Sequence, residues 1–194
     1  MHAERIQRLA RDDRLARHAG FWWGFAEGLF FFIVPDVYIS FAALFSLRAG
    51  AVAWVASIAG SALAACGIYV LTSVGVDYLA FLESIPGISG ALLGRVGQRL
   101  ASEGLPYTPL LVLGGVPLKV YCGLAFSLGQ SLGSVLLWTV FARIVRIAPT
   151  FALVAAARLL FRRTIDARAI AWSALLGFVW VAFYVFYFVH MSRV

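Results

Sequence analysis

Charge is scarce in this sequence and lysine nearly absent. Charged residues fill 13% of the 194 positions, against about 25% in an ordinary soluble domain. A soluble fold of this size needs a polar shell, and 62% hydrophobic content with a mean hydropathy of +0.90 leaves too little to build one. A soluble enzyme, a disordered tail and a secreted disulfide scaffold are therefore excluded, and an integral membrane protein is expected. Cysteine is also rare. Cys66 and Cys122 lie in separate apolar stretches with no CxxC, as buried small hydrophobes do. The three histidines, His2, His18 and His190, sit near the two ends. Walker A, HExxH and dinucleotide fingerprints are missing, so neither a metal nor a cofactor is expected.

The charge that is present is unevenly placed. Of sixteen Lys+Arg, only Lys119 is lysine, and Arg5, Arg8, Arg11, Arg14 and Arg17 crowd the first eighteen residues. Such an arm suits anionic headgroups on the cytoplasmic leaflet. Glu4, Asp12 and Asp13 interrupt the basic run, and Glu4–Arg8 and Asp13–Arg17 have helical i,i+4 spacing. A solvated helix over residues 1–20 that sets orientation is expected, with no nucleic-acid partner. The small residues Ser40 and Ala42 flanking Phe41 resemble a signal cleavage site, but the chain stays apolar beyond them and its start is too acidic, so cleavage is not expected.

A helical span needs about 20 apolar residues. Residues 49–76 and 169–189 are uncharged runs of 28 and 21, two clear transmembrane helices. Residues 21–34 are apolar but too few to cross; they hold Glu27, run into Pro35 and Asp36, and are followed by a second short piece, 37–47. Glu27 and Asp36, nine apart, would fall on opposite faces of one continuous helix, exposing a charge to lipid at a cost of a few kcal/mol. A chain folding back at Pro35 lets both face one cavity; the competing reading is a single proline-kinked span. The design returns at 105–128, where Pro117 precedes Lys119. Asp36-Val37-Tyr38 matches Lys119-Val120-Tyr121, and each is followed by Phe-Ser-Leu, at 45–47 and 126–128. Interrupted segments in two halves of a membrane chain point to a midplane site.

Between them, the linker 77–104 holds Asp77, Glu83, Arg95 and Arg99, with an interfacial amphipathic helix expected over 90–100. A third long helix is expected from near Gly129, returning to a basic cytoplasmic loop at Arg158, Arg162, Arg163 and Arg168 before the final span, 166–194. Residues 129–133 (GQSLG) fit a nucleophile elbow, which requires a strand and a nearby histidine. The same residues read better as GxxxG, a helix-packing face.

Five ionisable residues remain at membrane depth: Glu27, Asp36, Lys119, Arg143 and Arg146. Such residues normally face a cavity and mark a substrate or ion path, although mutual neutralisation would also hold them. Two acids against three bases leave one positive charge for an anionic headgroup, to which Arg offers bidentate geometry.

Glu27 followed by Phe-Phe-Phe-Ile-Val-Pro-Asp-Val at 30–37 resembles the ExxFFPIPPDVLL signature of the DedA superfamily, the SNARE-associated, VTT-domain membrane proteins. Residues 116–120 (VPLKV) resemble the P-x-P-Y-K-V element of its YqaA-like branch, and Ala142-Arg143 with Arg146 its G-R-x-x-R. The resemblance covers about residues 21–165. Val34 and Ala142 depart from it, and Leu113 stands about where larger members carry an arginine. It implies an all-α polytopic inner-membrane protein with two opposed re-entrant helical hairpins, about 21–47 and 105–128, and about three transmembrane helices. It also implies flippase- or scramblase-like transport of an anionic lipid, such as undecaprenyl phosphate or a phospholipid. Lys119, Arg143 and Arg146 would bind the headgroup, Glu27 and Asp36 would balance charge and exchange protons, and Pro35 and Pro117 would make the breaks. A proton-coupled transporter of small solutes or ions is the other reading; a lipid-phosphate enzyme lacks a nucleophile–base pair. Membrane lipids are the expected partners, and the oligomeric state stays open.

Overall fold

The computed structural model describes residues 2–108, 112, 113 and 115–191. These are all helical or irregular, with no strand among them. In chain order the helices are α1 (His2–Ala10), α2 (Asp13–Leu29), α3 (Asp36–Phe45), α4 (Leu47–Ser73), α5 (Tyr78–Glu83), α6 (Gly90–Glu103), α7 (Leu118–Ser127), α8 (Leu132–Ala167) and α9 (Ala169–Met191). Three of them, α4, α8 and α9, are long and apolar enough to cross a membrane. The expected limb 105–118 includes residues 109–111 and 114, which lie outside the described ones, as does Arg193.

The basic arm does not end at residue 20. Asp12 caps α2, its carboxylate accepting from the Arg14 and Leu15 amides, and the helix runs unbroken into the apolar segment. Asp13 pairs with Arg48, joining the start of α2 to the start of α4. These two helices are the frame of the molecule. Gly20 lies against Ala53, Gly24 against Ser57, and Gly28 against Ser61 and Ala64. The pairs rise together, so α2 and α4 run parallel with backbones in contact. A Cβ at Gly24 would strike the Ser57 carbonyl, and one at Gly60 the Phe21 carbonyl. Where lipid removes any hydrophobic reason for helices to associate, such small-residue seams supply the attraction.

Because α2 and α4 point the same way, the chain must turn back between them. It leaves the helix at Phe30 (φ −147°) and resumes at Asp36, with Pro35 as the residue before the new helix. A continuous kinked span over 21–47 is not what forms. Ser46 then caps α4 through the Ala49 amide. Across the bundle, Trp54 meets Phe151 and Ser61 meets Arg143, so α8 descends antiparallel to α4. Leu118 to Ser127 climbs beside it, Cys122 against Thr139.

Two expectations need correction. Gly129 and Gly133 make no packing face. Gly129 turns the chain with φ 75° ahead of the α8 cap at Ser131, and a Cβ at Gly133 would meet nothing. Nor is there a basic loop. The segment carrying Arg158, Arg162 and Arg163 stays helical to Ala167, bent at Phe161 (φ −113°, ψ 22°), and α9 begins after Arg168.

As expected, α6 is amphipathic. Leu92, Leu93, Val96 and Leu100 are buried, while Arg95, Gln98 and Arg99 are exposed. Helix α9 is the most peripheral. The most apolar stretch of α9 is 6% buried, against 44% for α4.

Candidate functional site

The non-helical backbone over residues 30–35 is held by side chains from several helices. Lys119 Nζ donates to the carbonyls of Glu27 and Phe31 at 2.8 and 2.9 Å. The Tyr78 hydroxyl donates to the Leu29 carbonyl. Trp23 Nε1 donates to Ile33 O, and the Val34 amide donates to the Tyr184 hydroxyl. Helix α2 thus ends on a cation and a phenol, the groups its orphan carbonyls and negative dipole end favour.

The Glu27 carboxylate lies among the cations. Arg143 Nη2 donates to Oε2, and Lys119 Nζ stands 3.7 Å from Oε1. Arg143 Nε donates to Ser61 Oγ at 2.7 Å, and that hydroxyl also reaches the Gly24 carbonyl. One acid therefore bridges α2, α7 and α8, while Ser61 ties the cluster to the α2–α4 seam near the middle of α4. All three ionisable members are at most 2% exposed. Arg143 Nη1 has no hydrogen-bond partner among the described residues.

Beside this cluster opens a cavity of about 460 Å³. Glu27, Asp36, Lys119, Arg146 and Thr150 form its polar part, with Pro117 at the rim. The rest of the lining is mostly apolar and aromatic, with α9 contributing Val179, Trp180, Phe183, Tyr184 and Tyr187. Asp36 is buried, and its Oδ2 has no hydrogen-bond partner among the described residues. Arg146 Nη1 donates to the Val116 carbonyl at 3.3 Å. Asp36 opens α3 and Lys119 lies in the first turn of α7, so both helix N-termini border the cavity.

Of the residues expected from sequence, Glu27, Asp36, Lys119 and Arg146 line one cavity, and Pro35 and Pro117 stand immediately before the two short helices. Arg143 does not line it; it stands behind Glu27, fastened to Ser61. Sequence reasoning missed Ser61, Tyr78, Thr150, Trp180, Tyr184 and Asp166. The glycines at 20, 24 and 28, spaced by four, were the available signal for the seam that presents Ser61. Asp166 forms a second cluster at the far end, pairing with Arg158 and Arg11 at 2.9 and 3.0 Å, while Gln7 donates to its carbonyl. No group of His, Cys, Asp and Glu able to hold a metal occurs among the described residues.

A helical protein with three potential membrane spans and a cavity lined in part by buried ionisable side chains is the class these features define. No family model, curated protein or solved structure matches the chain.

Proposed function

We propose that the chain is a membrane lipid carrier that admits a phosphate-bearing headgroup into the cavity between α3, α7, α8 and α9 and passes it between leaflets. One observation carries the proposal: a cavity of about 460 Å³ brings Glu27, Asp36, Lys119 and Arg146 together with a predominantly apolar and aromatic lining, much of it from α9. That combination matches an amphiphile, with the headgroup among the ions and the tail against α9. Its volume lies within the usual range for ligand sites, about 300–1,000 Å³.

Arg146 is the cation free to receive the anion. Among the described residues its guanidinium hydrogen-bonds only to a peptide carbonyl, whereas Arg143 and Lys119 are engaged with Glu27. Two helix N-termini add positive dipole ends. Arg143, itself fastened to Ser61, holds the Glu27 carboxylate in place. Asp36, with an oxygen unused, is the group that exchanges a proton as the headgroup arrives. The segments 21–47 and 105–128 act as re-entrant hairpins entering from opposite sides. The arginine-rich end formed by α1, Arg48 and the α8 terminus is cytoplasmic. The resemblance to the DedA superfamily supports an inner-membrane location and a lipid such as undecaprenyl phosphate or a phospholipid as cargo.

The cavity's modest size also suits a small solute moved with protons, and vesicles separate the two readings. Fluorescent lipid-phosphate translocation by the reconstituted protein, lost in Arg146→Gln and unaccompanied by solute uptake, supports the lipid carrier. Solute uptake without lipid movement replaces it with the second reading.

A further inference from the structure

A second, larger hollow lies on the other side of the 115–117 segment. Its volume is about 730 Å³, and Arg95, Gln98, Arg99, Tyr107, Thr108 and Tyr121 are its polar lining. Residues 115–117 border both spaces. Gly115 and Pro117 face the central cavity, while Val116 between them faces the outer groove. Arg146 lines the cavity and holds the Val116 carbonyl, and Tyr121 stands within electrostatic reach of both Arg146 and Arg99.

The outer groove is built for an anion. Arg95 and Arg99 are one turn apart on α6, a spacing of about 5–6 Å between Cβ atoms. Neither is in an ion pair among the described residues, and the groove's single acid is Glu103. Two guanidinium forks with phenol and threonine hydroxyls offer more donors than a carboxylate can accept, but a number that suits phosphate oxygens. Leu92, Val96, Leu100 and Leu105 supply an apolar flank.

We propose that this groove is a separate receiving site for a phosphate-bearing group, and that the 115–117 strand held by Arg146 divides it from the central cavity. The inference rests on the proposed transport reading for its purpose, but binding at the groove is testable by itself.

Full-length protein in mild detergent is titrated calorimetrically with short-chain phosphatidylglycerol and, separately, with inorganic phosphate. The wild type is expected to show two saturable classes of lipid site. Arg95 and Arg99 are exposed, so the R95Q/R99Q variant folds; it should weaken one class by roughly tenfold or more and leave the other. R146Q should weaken the remaining class. R162Q/R163Q, at the opposite end of the molecule, should change neither. Loss of both classes in R146Q alone, with R95Q/R99Q unchanged, overturns the groove and keeps the cavity. Loss in R95Q/R99Q with R146Q unchanged keeps the groove and removes the transport reading. An equal effect of R162Q/R163Q reduces the signal to diffuse charge and overturns the proposal, as does absence of saturable binding in the wild type. Inorganic phosphate competing as well as the lipid assigns the site to the free anion rather than to a headgroup.

Discussion

Replacing Lys119 with methionine tests whether its ammonium is chiefly a support for the broken backbone. The side chain keeps its volume, but the carbonyls of Glu27 and Phe31 lose the only side-chain donor they have among the described residues, and Glu27 loses one of the two cations paired with it there. An orphaned buried acceptor costs about 1–3 kcal/mol. Two such losses are partly offset, because a buried ammonium no longer has to be desolvated, so the net destabilisation should be about 3–5 kcal/mol, as for a broken buried ion pair. Reversible unfolding in mixed detergent and SDS micelles measures it. Glu27→Gln gives a similar loss by a different route, leaving Arg143 and Lys119 without their shared anion. The double variant should lose about 1–2 kcal/mol less than the sum, since the two changes share one interaction. A Lys119→Met protein within about 0.5 kcal/mol of the wild type would refute the reasoning. So would strict additivity of the pair.

Other substitutions separate packing from site chemistry. Gly24→Ala pushes a Cβ into the Ser57 carbonyl and should cost about 1–3 kcal/mol in the same unfolding assay. Gly94→Ala, inside α6 and facing open space, should instead be neutral or stabilise by up to about 1 kcal/mol. Asp166→Asn releases Arg11 and Arg158 together; hydrogen exchange in α1 should rise and global stability should fall by about 1–2 kcal/mol, little of it from the exposed Arg11 and most from the buried Arg158, which loses its charged partner. Tyr184→Phe removes the acceptor for the Val34 amide, and Trp180→Phe the donor to Ser40 Oγ. Each should cost about 1 kcal/mol and accelerate exchange at the start of α3, with unchanged exchange in α4.

The two short helices were legible because proline is. Fixed φ and a missing amide make Pro35 and Pro117 natural residues before a first turn, and Asp36 and Lys119 follow at once or one residue later. The gathering of Glu27, Asp36, Lys119 and Arg146 was legible from the cost of charge in hydrocarbon. The division of labour between Arg143 and Arg146 was not. Spacing by three puts both on one face of α8, but which one meets the cavity depends on where Ser61 and Glu27 stand on other helices. The final span was legible only as a transmembrane helix; Trp180 and Tyr184 become partners only once α3 and the 30–35 turn are beside them. The glycine pair at 129 and 133 misled for the opposite reason. The motif is real as spacing, yet Gly129 is consumed by a left-handed turn.

Backbone-to-backbone contact along Gly20, Gly24, Gly28 and Gly60 leaves no side-chain cushion between α2 and α4. Sliding by one residue would drive peptide groups into each other, so the pair behaves as a stator. In the proposed transport, the element with the least packing to give up is α9, whose most apolar stretch is 6% buried against 44% for α4.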